Sequence, residues 1–180
     1  TMAQANIDVL TIGNAIVDVI ARVDDAFVKK NGLVKGSMNL IDEARAEELY
    51  NSMGPAIEIS GGSAGNTAAG VASFGGKAAY FGKVKADQLG GIFRHDMRAQ
   101  GVQFDSVAAN SGPATARSFI LVTPEGERTM NTYLGACVNL GPVDVDEKVV
   151  SATKVTYMEG YLWDKEAAKE AFKHAAKIAH

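Results

Sequence analysis

Residues 58–70 read EISGGSAGNTAAG, and two incompatible sites can be built on them. Gly61, Ser63 and Gly65 spell G-x-S-x-G, the sharp strand-to-helix turn that presents the nucleophile of an α/β-hydrolase. Alternatively, the glycines form a loop that uncovers backbone amides. Asn66 behind them then offers both a donor and an acceptor to a sugar hydroxyl. The sequence on either side decides between the two.

The hydrolase needs an acid and a histidine base, in the order Ser, Asp or Glu, His. Only His174 and His180 lie far enough downstream, and both sit on the last helical stretch rather than on a loop after a strand. No HGGG-like segment supplies a second oxyanion donor. Neither G-x-G-x-x-G nor G-x-x-x-x-G-K-[ST] occurs, so the dinucleotide fingerprint and the P-loop are both missing. The sugar-loop reading needs a partner for Asn66, and Asp18 in GNAIVDVI offers one. A carboxylate accepts from two vicinal hydroxyls at once, through charge-assisted bonds. Singly, each residue also has an ordinary reading: Asp18 as a solvated residue on an edge strand, Asn66 as a helix N-cap, and Gly61, Gly62 and Gly65 as a tight turn.

Around this stretch the pattern is α/β. IDVLTIG (7–13), AIVDVIARV (15–23), SMNLID (37–42), AIEIS (56–60), AAYFGKV (78–84) and KVTYMEGYLW (154–163) read as strands. EARAEELYNSM follows a capping Asp42, with Ala46, Leu49, Tyr50 and Met53 on one face and Gly54 as the stop. NTAAGVASFGG is a helix of small residues able to approach a sheet closely. QLGGIFRHDMRAQG places Ile92, Phe93 and Met97 inward, and the final helix has a stripe of Ala168, Ala171, Ala175 and Ile178. Alternating strands and helices predict a parallel sheet with right-handed crossovers. ARSFILVTPEGERTMNTYL (116–134) breaks the alternation. It is two β-rich runs around PEG, a hairpin signal, and predicts a separate antiparallel element joined in space by residues 15–41.

Composition narrows the partners. The 180 residues are 47% apolar and 22% charged, with a net charge of -3. That balance advertises no basic surface for nucleic acid or anionic membrane. Cys137 is the single cysteine and no Cys/His cluster suggests zinc, which fits a reducing, cytoplasmic setting. No apolar run approaches the roughly 20 residues that span a bilayer.

In combination these motifs resemble a family. GNAIVDVIARVD, LVKGSMNLID, GGSAGNTAAGVASFGGKAAYFGKV, FRHDMRAQGVQFD and LVTPEGERTM occur in the order and spacing of the ribokinase-like (PfkB) carbohydrate and nucleoside kinases. KGSMNLID and EGYLWD look more like the adenosine kinase branch. The resemblance implies a Rossmann-like three-layer α/β core, residues 1–14, 42–112 and 135–180, with a small β-sheet lid from 15–41 and 113–134. It implies that the lid closes over a sugar or nucleoside, which receives the γ-phosphoryl of ATP with Mg²⁺, and that K⁺ can take part. By motif, Asp18 and Asn66 would hold sugar hydroxyls, with Gly61 and Gly62 lining the site. Asn14 and Met38 match positions near the base, and Tyr161 matches an aromatic packing on the nucleoside. Core packing is the ordinary alternative for Met38 and Tyr161. Lids of this family pair into homodimers in some branches and stay monomeric in others.

Two departures stand out. Lys85 and Ala86 precede Asp87 where the family has Gly-Asp or Gly-Asn, and Cys137 replaces an Asn, with Asn139 two residues on. The family's second signature, resembling D-T-x-G-A-G-D, supplies an anion hole at a helix N-terminus and the Asp base. It is absent from these residues. The resemblance therefore implies the acceptor-binding half of a kinase, with no catalytic residue and no metal ligand of its own, inactive by itself. A non-catalytic sugar- or nucleoside-binding module is the alternative, and a serine hydrolase using Ser63 a more distant one.

Overall fold

The computed structural model describes residues 6–180. Residues 1–5, expected in the core, lie outside the described residues. In chain order the elements are β1 (Ile7–Ile12), β2 (Ile16–Arg22), α1 (Asp25–Lys30), β3 (Met38–Leu40), α2 (Glu43–Ser52), β4 (Ile57–Gly61), α3 (Ser63–Ser73), β5 (Ala78–Phe81), α4 (Gln88–Ala99), β6 (Val102–Gln103), β7 (Ala116–Val122), β8 (Arg128–Tyr133), α5 (Glu147–Ser151), β9 (Thr153–Met158) and α6 (Glu166–Ala179). They build an α/β fold from two sheets. The core sheet has the order β6-β5-β1-β9, and all its pairings are parallel. The lid sheet has the order β3-β8-β7-β2-β4.

Strand alternation feeds two apolar layers, one on each face of the core sheet. Ala78 and Tyr80 point to the side of α3 and α4, where Phe93, Met97 and Phe104 are buried. Leu10, Ile12, Ala79 and Phe81 point to the side of α5 and α6, against Leu162, Ala168, Ala171 and Phe172. Tyr80, Phe93 and Phe104 form an aromatic trio with centroids 5.4–5.6 Å apart. Each such pair adds about 0.5–1.5 kcal/mol beyond its area burial. The small residues of α3 do what their size permits. Ala64, Gly65 and Ala68 are buried, and the Thr11 hydroxyl donates to the Ala64 carbonyl at 2.8 Å.

The lid differs from its sequence reading in two ways. It is mixed rather than antiparallel: β2 runs parallel to β7 and antiparallel to β4, while β3 runs parallel to β8. It also takes a strand from the segment expected in the core, because β4 pairs with β2 from Ile16↔Gly61 to Ile20↔Ile57. The hairpin β7–β8 is as read, from Arg117↔Tyr133 to Val122↔Arg128. Helix α2 buries Ala46 and Leu49, but Tyr50 stays at the rim, bonding Glu58 at 2.7 Å.

Asp87 ties lid to core. Its carboxylate caps α4 at the Gly90 N–H, 2.8 Å, and accepts from the Thr115 N–H at 2.9 Å and the Thr115 hydroxyl at 2.6 Å. Thr115 is the residue before β7. A side chain on Gly90 would run into the Lys85 carbonyl oxygen, whereas Gly91 has open space around it. Gly90→Ala is therefore expected to destabilise the protein by about 1–3 kcal/mol through overpacking. Gly91→Ala should instead be neutral or stabilise by up to about 1 kcal/mol through helix propensity. Urea unfolding of the two variants side by side checks both signs.

Candidate functional site

The two sheets meet where β1 hands over to β2, at Gly13, Asn14 and Ala15, and where β4 hands over to α3, at Gly61 and Gly62. Gly62 has a left-handed φ of 81°, and a side chain there would collide with the Asn14 carbonyl. That position tolerates only glycine. Gly61 is constrained differently. A methyl group on it would come within 2.5 Å of the Asp18 Cγ, so the Asp18 carboxyl lies flat against its backbone. Asn14 is buried, and its Oδ1 has no hydrogen-bond partner.

Asn66 is not the helix cap that its sequence position allows. Gly62 occupies the N-cap of α3, with no side-chain cap bond, and Asn66 is an exposed residue whose N–H bonds the Gly62 carbonyl at 2.9 Å. It lies in the first turn, so about one helical pitch of ~5.4 Å separates it from the glycine loop.

Sheet register defines what else shares a face with Asp18. Asp18 pairs with Ile59 and Ser118, and Ser118 with Thr132, which pairs with Leu40. The next row on the same face holds Ile57, Ile20, Ile120, Met130 and Met38. The Ser118 and Thr132 hydroxyls bond each other at 2.8 Å. The rest of the face is apolar and open: Met38 is 58% exposed, Leu40 64%, Ile57 65% and Ile59 42%. Met38 is three strand spacings from Asp18, about 14 Å at ~4.8 Å each. Tyr161 is 78% exposed on the turn after β9. The core-packing alternative for Met38 and Tyr161 is therefore corrected: both are at the surface.

The sequence reading missed Glu159. It is buried, and its carboxylate accepts from the Asn14 N–H at 2.8 Å and from the Ser63 hydroxyl. A side chain on Gly13 would overlap that carboxylate. One acid thus joins β9, the β1–β2 junction and the first residue of α3. The available signal was an acid directly after a β-rich run, in the same EGY that drew attention to Tyr161.

Glu159 also removes the hydrolase. Ser63 Oγ is committed to a buried carboxylate, while His95 and His174 face Asp96 and Glu147. Among the described residues no non-glycine has a positive φ, so Ser63 is not on a strained elbow. Cys137 is no substitute nucleophile, since burial, with Glu159 beside it, pushes its thiol well up. Burial likewise drives the Tyr80 phenol far above its usual range; its hydroxyl donates to the Gly13 carbonyl at 2.9 Å.

Burial raises the Asp18 carboxyl from 3.8 to about 6. Among the described residues no group of His, Cys, Asp or Glu is arranged to hold a metal ion, and no helix is long and apolar enough to cross a membrane.

A three-layer core, a β lid with one open face and a glycine loop facing a half-buried carboxylate define the class: the ribokinase-like proteins. The chain belongs to the pfkB family carbohydrate kinases, whose model matches residues 6–180. It is 67% identical over 98% of its length to an adenosine kinase from Sinorhizobium meliloti, with a TM-score of 0.87. It is 63% identical over 98% to a probable sugar kinase protein from Rhizobium etli CFN 42, with a TM-score of 0.88. A probable chloroplastic fructokinase-6 from Arabidopsis thaliana is 30% identical over 121 residues, 66% of this chain and 32% of that protein. The chain covers 54% of each of the two bacterial structures.

The state of Asp18 has a measurable consequence for folding. Its folded value lies above the unfolded one, so its contribution is present below about pH 4 and is lost as pH rises through about 6. Asp18→Asn should therefore stabilise the ligand-free protein at pH 7–8 by about 1–2 kcal/mol, the linkage discounted for partial exposure. The gain should vanish toward pH 4. Denaturant midpoints of both proteins across pH 4–8 check this; a gain that grows on acidification contradicts the assignment.

Proposed function

We propose that this chain is the acceptor-binding part of a kinase that moves the γ-phosphoryl of ATP to a primary hydroxyl of a ribosyl nucleoside, with adenosine favoured. One observation carries the reading. The Asp18 carboxyl, drawn against Gly61 and half-buried, faces the same side of the lid as a row of open apolar side chains. A free sugar would satisfy the carboxylate and leave Met38, Leu40 and Ile59 in water. A nucleoside satisfies both, with its ribose at Asp18 and its base along the apolar rows. The high identity to a protein described as an adenosine kinase supports the same choice.

The roles follow from the chemistry of each group. Asp18 accepts from two ribose hydroxyls. Asn66, one turn into α3, donates to one and accepts from another. Gly61 and Gly62 leave the backbone bare enough for the sugar to approach. Asn14, with its unmet Oδ1, and Tyr161 complete the base end. Phosphoryl transfer relies on positioning and charge stabilisation. Closing the lid excludes the water that would hydrolyse ATP instead. The catalytic Asp, the anion hole and the groups that would hold ATP, Mg²⁺ and K⁺ are assigned to a further segment of the full-length protein. We infer a cytoplasmic protein, and where no nucleoside covers the lid face, a second copy of the chain is its natural partner.

The test compares adenosine with fructose as acceptors, with ATP as donor and the full-length protein as catalyst. Adenosine should give the higher kcat/KM. Asp18→Ala and Asn66→Ala should each lower it by about 10²-fold or more, the scale of losing hydrogen bonds to a charged or paired group in a closed site. Equal use of both acceptors, or an unimpaired Asp18→Ala enzyme, would overturn the reading.

A further inference from the structure

The departure at Lys85 and Ala86 leads to a second cavity, on the side of the lid away from Asp18. It has a volume of about 370 Å³, and its lining includes Glu47, Lys85, Asp87, Gln88 and Arg117. Arg117 projects from β7 on the face opposite Ser118 and Asp18, with its side chain only 9% exposed. Its Nη2 donates to Glu47, and its guanidinium lies 5.9 Å from the Tyr133 ring centroid. Its Nε, however, is buried with no hydrogen-bond partner, and a buried N–H of a charged group left open is costly.

Four further facts point to what would meet that N–H. Lys85 lines the same cavity, with its ammonium now bonded to the Gly112 carbonyl at 2.9 Å. The 12-residue helix α4 begins there, with Asp87 capping only its Gly90 N–H and the Gln88 and Leu89 amides at its open end. Asp87 itself does not compete for the cations, because its carboxylate is turned to Thr115 and Gly90. Glu47 holds Arg117 at present, but its own side chain is 55% exposed, so it can leave.

We propose that this cavity binds a small dicarboxylate, which takes Arg117 from Glu47 with one carboxylate and meets Lys85 and the first amides of α4 with the other. The planar fork of a guanidinium matches a carboxylate, and Arg117 already holds one. The consequence is regulatory. Glu47 lies on α2, the connection between lid strands β3 and β4. Displacing it loosens α2 from β7, and the cavity also touches Asp87, which ties Thr115 to α4. The proposal does not depend on which acceptor the lid covers.

The experiment titrates succinate, and neutral succinamide at matched ionic strength, into the full-length protein by calorimetry. Succinate should bind and succinamide should not. Arg117→Gln should weaken succinate binding about tenfold or more, and Lys85→Ala about threefold, as expected for losing charge-assisted bonds. Glu47→Gln should tighten binding, because the internal competitor is gone. The opposite sign of the Glu47 and Lys85 variants separates the proposal from damage to the fold, and circular dichroism confirms that each variant is folded. Equal heats from succinamide, or a Glu47→Gln protein that binds no tighter, would overturn it.

Discussion

The junction of the two sheets rests on one buried carboxylate. Glu159 receives the Asn14 N–H and the Ser63 hydroxyl, while its own N–H bonds the Ile12 carbonyl at 2.9 Å. Three elements distant in sequence are fixed relative to one another by a single side chain. Gly13 has no side chain because that carboxylate fills the space. A buried acid with its oxygens met by donors is tolerable; one with donors removed is not. The glycine loop and Asn14 therefore keep their places only while Glu159 keeps its own.

From this junction the lid acquires two unlike faces. The rows of Val17 and Arg117, of Val19 and Phe119, and of Ala21 and Leu121 are buried, with Ala46, Leu49 and α4 in the same apolar layer. The rows between them carry Asp18, Ser118, Thr132 and the exposed Met38, Leu40, Ile57 and Ile59. A one-residue slip of β2 would turn Asp18 to the buried side and Val17 and Val19 to the open one. The register that β4 imposes from Ile16↔Gly61 onward thus orients Asp18 and places it on Gly61 at the same time. Open apolar area of this kind on a sheet face is what the proposed nucleoside site would cover.

Much of this was legible because local chemistry and final structure agree. The core strands β1, β5 and β9, the capping Asp42 and the PEG hairpin are set by periodicity and turn residues, which short segments carry themselves; the two-residue β6 is too short to leave such a pattern. The family was legible in the same way, since the glycine loop, Asn66 and Asp18 fall in a recognisable order. What was not legible depends on contacts between distant segments. AIEIS looks like any strand before a helix, and only its pairing with β2 makes it part of the lid. The parallel pairing of β2 with β7 joins residues about a hundred positions apart, and no local pattern records it. Glu159 was overlooked because a single acid after a strand has no signature until its donors are known. Met38 and Tyr161 could have been core by composition. Their exposure follows from which way the lid sheet turns its face.

The environment of Asp18 works against its charge. Asp144 has Lys83 at 2.6 Å and Asp105 has Arg98 at 2.9 Å; for Asp18 burial alone sets the shift. Arg117, one residue before its cross-strand partner Ser118, points to the other side of the sheet. A carboxylate that has lost water without gaining a cation is a poor contributor to folding and a strong acceptor for any hydroxyl that enters. In the proposed kinase, lid closure would remove still more water, so each ligand hydrogen bond there would count for more than at an open surface. The instability stored in the ligand-free protein and the polyol affinity that we propose are thus two consequences of the same missing counter-charge. A lysine or arginine placed beside Asp18 would relieve the first only by abolishing the second.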